Sequence, residues 1–63
     1  MRTYIDEGHD DGIKKYTESE AISVIREIIS DDLDVLREGE TLENITDDRV
    51  LEIGYNFYSI YKD

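Results

Sequence analysis

The feature that most constrains the fold is a two-sided pattern in residues 17–39, where apolar and acidic side chains recur at helical spacing. With about 100° of rotation per residue, five apolar side chains fall within an arc of about 80°, and five carboxylates fall within about 60° opposite them. The apolar set is Ile22, Ile25, Ile29, Leu33 and Leu36, and the acidic row is Glu20, Glu27, Asp31, Asp34 and Glu38. The pattern predicts one uninterrupted amphipathic helix over residues 17–39.

Both ends of this helix carry capping signals. Thr17 and Glu20 fit a capping box, in which each side chain accepts a hydrogen bond from the other residue's backbone amide. Gly39 suits the left-handed residue that closes many helices. Ser30 is a competing N-cap from which a second helix would start. One continuous helix is favoured because both faces stay in phase across that residue.

Residues 46–62 predict the second helix. Thr46 is a good N-cap, and Asp47 and Asp48 suit the positive end of the helix dipole. Apolar side chains cover about half of the helical circumference, and Gly54 falls among them, where it allows a close helix contact. Alternating residues of the same segment also fit a strand, but that interpretation leaves three apolar residues on the wrong face. The helix is therefore favoured.

The N-terminal part, residues 1–16, predicts an extended arm followed by an acidic loop, since two glycines among acids favour a turn. Together these elements predict a mainly α fold. It is one small helical domain over residues 1–63, with two main amphipathic helices and a short extended N-terminal arm.

The apolar surface of the first helix is wider than one partner helix requires. Four further apolar residues flank the main set: Ala21, Val24, Ile28 and Val35. Either a second element of the same chain or another subunit would cover them. A monomer of this size buries only roughly 60% of its unfolded surface, and a chain without cysteine has no disulfides to reinforce it. We therefore predict a homodimer.

The charge of the chain limits its partners. It has 17 acidic and 7 basic side chains, a formal net charge of −10. Nucleic acids and anionic membranes are poor partners, because affinity for them depends on Lys and Arg. A basic protein is the favoured partner. No apolar run is long enough for a membrane span, and the N-terminus lacks the apolar core of a signal peptide, so a cytoplasmic location is predicted.

Candidate chemical sites are few. His9 lies in the one possible metal cluster, with Asp6, Glu7, Asp10 and Asp11. Calcium loops need alternating acids around a central glycine, and zinc sites need more His or Cys. A solvated acidic loop with no metal and no other cofactor is therefore favoured. With one His, no Cys and no Gly-rich phosphate loop, the sequence indicates a protein that is not an enzyme.

The acidic row is the most specific functional signal. Helix positions three or four apart place Cβ atoms about 5–6 Å apart, a scale comparable with the phosphate spacing of DNA. A rigid row of carboxylates, extended by Asp47 and Asp48, would therefore fit the Lys and Arg side chains of a DNA-binding protein. A solvated helix face that keeps the protein soluble is the plainer interpretation.

A second interpretation uses the apolar surface. Three tyrosines at a spacing of three, with Phe57 between them, lie near the C-terminus: Tyr55, Tyr58 and Tyr61. Core packing explains Phe57, Tyr58 and Tyr61, but tyrosine also contributes strongly to interfaces. The chain would then be a structural or regulatory module that binds a partner helix through its apolar and tyrosine-bearing face.

Length, excess of Asp and Glu, absence of Cys and the row from Glu20 to Glu38 together resemble one known class. The chain is similar to the small, acidic, phage-encoded inhibitors that mimic DNA, including those directed at the bacterial nucleoid protein HU. The resemblance implies competition with DNA for a basic host protein in the bacterial cytoplasm. It implies no particular fold, because DNA mimics have unrelated folds.

Overall fold

The computed structural model describes residues 3–7 and 12–63. These residues form a small mixed α/β domain. The elements in chain order are β1 (Thr3–Asp6), β2 (Lys14–Thr17), α1 (Glu18–Ser30), one 3₁₀ turn (Leu33–Val35), α2 (Asp47–Phe57) and β3 (Ile60–Lys62). The prediction of a mainly α fold is therefore wrong, since a three-stranded sheet accompanies the two helices.

The first strand is the centre of the sheet. The strand order is β2-β1-β3, and β1 pairs antiparallel with both neighbours. Tyr4 lies opposite Tyr16 on one side and opposite Lys62 on the other. Both helices pack on the sheet face that carries Tyr4, because successive strand residues point to opposite faces and Tyr4 is buried in the core.

The core lies between this face and the two helices. The buried apolar residues are Tyr4, Ala21, Ile25, Ile29, Ile45, Val50, Ile53 and Ile60. Ala21, Ile25 and Ile29 recur every four residues, so the centre of the buried face of α1 includes one of the predicted flanking residues. Elements of the same chain therefore cover this flank. The homodimer stays a prediction.

Neither helix of the described chain has the length and apolarity needed to cross a membrane.

The helix α1 starts where the sequence predicts, but it ends earlier than predicted. Thr17 is the N-cap, its Oγ1 accepts from the Glu20 amide at 3.2 Å, and Glu20 Oε1 accepts from the Thr17 amide at 2.9 Å. The capping box is confirmed. The helix stops at Ser30, with Asp31 as the C-cap, so the predicted continuous helix over residues 17–39 is wrong.

The acidic row itself weakens the longer helix. Glu27 with Asp31, and Asp34 with Glu38, would be like-charge pairs four residues apart, and each such pair destabilises a helix by roughly 0.2–0.5 kcal/mol. The Ser30 hydroxyl donates to the Glu27 carbonyl at 2.6 Å, a local bond typical of residues that compete with helix continuation. Gly39 adopts a positive φ of 87° as predicted, but in a turn rather than at a helix end.

The second helix also starts as predicted and ends early. Thr46 caps α2, accepting from the Arg49 amide at 3.2 Å. The helix ends at Phe57, Ser59 takes a positive φ of 55°, and β3 follows. The predicted second helix over residues 46–62 is therefore wrong in its last five residues, of which Ile60 to Lys62 pair with β1 instead.

The predicted arm and acidic loop over residues 1–16 contain two strands. The expected short extended segment is β1, but β2, which covers residues 14–17, was not predicted. Its four residues pair with β1 and have no strong strand pattern of their own. His9, Asp10 and Asp11 of the candidate metal cluster lie outside the described residues.

Gly54 provides the close helix contact that the sequence predicts. A Cβ at this position would overlap the Cδ1 of Ile25 and lie 3.0 Å from its Cγ1, and Ile25 is fully buried. The absence of a side chain at Gly54 therefore sets the separation of α1 and α2.

Gly54→Ala should destabilise the protein although alanine is the better helix former. Overpacking a core costs about 1–3 kcal/mol, against a gain of about 1 kcal/mol in helix propensity, so we expect a net loss of about 1 kcal/mol in the free energy of unfolding by urea denaturation. Asn56→Ala, at an exposed position of α2, is the matched control and should stabilise slightly. A Gly54→Ala protein as stable as Asn56→Ala would contradict the close contact.

Candidate functional site

The segment that joins the two helices is the most acidic part of the described chain. We call residues 31–46 the acidic connection. It contains one basic residue, Arg37, and six carboxylates: Asp31, Asp32, Asp34, Glu38, Glu40 and Glu43. Residues 18–57 as a whole carry 12 acidic and 3 basic side chains, a net charge of −9. The helices and their connection therefore carry most of the negative charge of the protein.

Arg26, on α1, holds the acidic connection against the helix. Its guanidinium donates to the carbonyl oxygens of Leu42 at 2.7 Å and Ile45 at 3.3 Å. The same group forms an ion pair with Asp47 Oδ1 at 3.3 Å, at the start of α2. The planar guanidinium suits such a set of acceptors better than an ammonium would. We call this set of bonds the Arg26 clamp.

Arg49, on α2, holds the middle of the connection. Its Nε and Nη2 donate to the two carboxylate oxygens of Glu40 at 2.8 and 3.1 Å, and its Nη1 donates to Glu52 at 2.8 Å. The side chains of Arg49 and Glu40 are only 13% and 22% exposed. The hydrogen bonds from Arg49, followed by that from the Arg37 amide, lower the pKa of Glu40 to about 2.

Two tight turns stiffen the connection further. The Arg37 amide donates to Glu40 Oε1 at 2.7 Å, while the Glu40 amide donates to the Arg37 carbonyl at 3.0 Å. Thr41 and Asn44 bind each other's amides through their side chains, at 2.8 and 3.2 Å. Asn44 also donates to the Gly39 carbonyl at 2.9 Å. The acidic connection is therefore an ordered, hydrogen-bonded segment rather than a plain linker.

The predicted acidic row is divided among four local structures. Glu20 belongs to the capping box at the start of α1, and Glu27 and Asp31 keep their helical spacing at its end. Asp34 lies in the 3₁₀ turn, and Glu38 lies in the turn before Glu40. The five carboxylates therefore do not form one straight edge.

The two acids predicted to extend the row have different surroundings. Asp47 is bound to Arg26 and lines a shallow depression with Glu18 and Ser19 of α1. Asp48 is exposed in the first turn of α2 and forms no ion pair within the described chain. Asp47 thus has a structural role, whereas Asp48 stays available to a partner.

An apolar groove, which the sequence did not predict, crosses the acidic connection. It is open to solvent and has a volume of about 400 Å³. Leu33, Leu36 and Leu42 contribute apolar side chains, and Leu33 is 57% exposed. Sequence reasoning missed the groove because it placed Leu33 and Leu36 on the buried side of a continuous helix. The run of Ser30 and two aspartates, which are poor helix formers, was the signal that this helix ends.

The C-terminal aromatic residues form a second surface. Tyr55 and Tyr61 meet edge to face, with ring centroids 6.4 Å apart. The Tyr61 hydroxyl donates to Glu7, and this bond raises its pKa. Phe57 is 56% exposed, so the prediction that it packs in the core is wrong. Tyr58 is half-buried and donates to Asp32 at 3.3 Å.

Within residues 3–7 and 12–63, no three His, Cys, Asp or Glu side chains are grouped so as to hold a metal ion. Asp6 is buried and accepts from the Tyr16 hydroxyl at 3.3 Å. Burial, followed by the charge of Asp6, raises the pKa of Tyr16.

Comparisons with known proteins give no relative. No protein-family model, curated protein or solved structure matches this chain. The class that the fold and the candidate site define is therefore a structural one, a small acidic α/β domain with an ordered, carboxylate-rich connection between its helices.

Replacing Arg26 should show how much the clamp contributes. Arg26→Met keeps the apolar stem but leaves two backbone carbonyls without their partner, which costs about 1–3 kcal/mol. We expect a loss of this size in urea denaturation. Arg37→Met is the matched control, because the Arg37 side chain is 75% exposed and reaches Glu52 only at 4.0 Å. Its change should stay within about 0.5 kcal/mol. Equal losses would refute the clamp.

The pKa of Glu40 predicts how stability depends on pH. Because the folded pKa of about 2 lies below the ordinary value of 4.5, the stabilisation is fully present above pH 4.5 and is lost as the pH falls towards 2. Glu40→Gln should be less stable at pH 7 and should lose less stability over this window. Glu43→Gln, which removes an exposed carboxylate without an ion pair, should keep the wild-type loss. Parallel profiles for Glu40→Gln and wild type would contradict the assignment.

Proposed function

We propose that this protein is a non-enzymatic inhibitor that imitates DNA and acts in the cytoplasm of a phage-infected bacterium. Its exposed carboxylates bind the Lys and Arg side chains with which a nucleic-acid-binding protein holds phosphates. Binding then excludes the nucleic acid by competition. The nucleoid protein HU is the first partner to test.

One observation carries this proposal, the unequal use of acidic and basic side chains. Of the 12 carboxylates in residues 18–57, Glu40, Asp47 and Glu52 form ion pairs with arginines, and nine have none within the described chain. Arg26 and Arg49 are occupied by bonds to their own chain. The negative charge of this side is therefore uncompensated and available to a basic partner, whose encounter it would accelerate.

Imitation of DNA does not require a straight row of carboxylates. A rigid, irregular array supports it instead, because the Arg26 clamp and two turns hold the connection in place. The exposed acids of this array are Glu27, Asp31, Asp32, Asp34, Glu38, Glu43 and Asp48. A preorganised array loses little conformational entropy on binding.

A second candidate function has one specific observation in its favour. Leu33 is exposed beside the apolar groove, which suits a structural or regulatory module that binds a partner through apolar contacts. The two functions differ in their response to salt. Exposed ion pairs are screened as the Debye length falls from about 30 Å at 0.01 M salt to about 8 Å at 0.15 M, whereas apolar contacts persist.

The function should therefore appear as salt-sensitive displacement of DNA. We expect the protein to capture small basic proteins from nuclease-treated bacterial lysate at low salt, and to displace labelled duplex DNA from purified HU in fluorescence anisotropy. Asp31→Asn/Asp34→Asn should weaken capture by about fivefold, since exposed ion pairs contribute about 0.2–1 kcal/mol each.

The matched control for this experiment is Glu7→Gln/Asp63→Asn, which removes the same charge from the sheet side of the molecule. It should change binding much less. Capture that is unaffected both by salt and by Asp31→Asn/Asp34→Asn would overturn the DNA-mimic proposal. If the protein captures other basic proteins but does not displace DNA from HU, only the proposed target changes.

A further inference from the structure

The apolar groove is where a basic partner would gain specificity. We propose that it binds the apolar side of a basic amphipathic helix of the partner protein, with apolar side chains between Leu33, Leu36 and Leu42 and Lys or Arg side chains against the rim. This inference rests on the proposed function only in taking the partner to be a basic protein.

The floor of the groove is held in place before any partner arrives. Leu36 and Leu42 are half-buried and pack against the hydrophobic core. The Leu42 carbonyl is also bound by Arg26 at 2.7 Å. Leu33 is the exception, since it stays 57% exposed at the edge of the groove. Its exposed side chain extends the apolar floor of the groove to the surface, where a partner can reach it.

The charge of the rim selects the occupant. Glu38 and Glu43 line the groove, are exposed and form no ion pair within the described chain. Arg37 is the one basic lining residue, and the third lining carboxylate, Glu40, is already bound by Arg49. A second copy of the chain would bring a net charge of −10 against this acidic rim, and such like-charge juxtaposition is unfavourable. A basic segment complements it.

The occupant also follows from the shape of the groove. A volume of about 400 Å³ in an open groove accommodates a few side chains rather than enclosing a small molecule. An amphipathic helix presents apolar side chains three and four residues apart on one face and its charges on the other. This arrangement matches an apolar floor with an acidic rim.

The test uses two synthetic helical peptides of about 18 residues with the same number of lysines. One has leucine and the other has alanine at the apolar positions. We expect the leucine peptide to bind about tenfold more tightly, a difference of about 1.4 kcal/mol. In NMR titrations, the amide signals of Leu33, Leu36 and Leu42 should shift and saturate. Equal affinities, or shifts confined to other residues, would overturn the inference.

Variants separate this inference from the proposed function. Leu33→Ser should abolish the preference for leucine over alanine, while Phe57→Ser, at an equally exposed position outside the groove, should retain it. If the preference for the leucine peptide survives Leu33→Ser, binding in the groove is refuted, but the salt-sensitive capture of basic proteins is unaffected. Loss of that capture with the leucine preference retained would refute the DNA mimic instead. Concentration-dependent shifts of the groove signals without peptide would identify a second copy as the occupant and overturn the inference.

Discussion

The Arg26 clamp is the interaction on which the shape of this protein most depends. One guanidinium on α1 binds two carbonyls of the acidic connection, 16 and 19 residues further along the chain, and the first turn of α2. It thereby joins three segments that together carry most of the negative charge of the chain. Arg26 and Arg49 bind acceptors of their own chain, whereas most carboxylates of residues 18–57 are exposed to solvent.

Local signals in the sequence predicted the beginnings of both helices. Thr17 and Thr46 cap them through bonds to amides three residues away, which depend only on neighbouring residues. Gly54 was predicted on the apolar side of its helix, where its contact with Ile25 now lies. These features were predictable because the physics that determines them acts within one or two helical turns.

Features that depend on distant contacts were not predictable in this way. The strands β2 and β3 are three or four residues long, and only pairing with β1 makes them strands. The end of α1 reflects a competition between the phase of its apolar face and the repulsion among its acids. Helical periodicity reflects the phase of the apolar face but not the repulsion among the acids. It therefore places Leu33 in the core and does not predict the groove.

The central position of β1 has a consequence for the synthesis of the protein. This strand precedes the other described elements in the chain, and its second neighbour, β3, follows 54 residues later, counted from Asp6 to Ile60. At roughly 5–20 residues per second, a ribosome needs about 3–10 s to span that interval. Until then one edge of β1 has open backbone groups, which invite pairing with other chains. A short chain between the two strands keeps this vulnerable period brief.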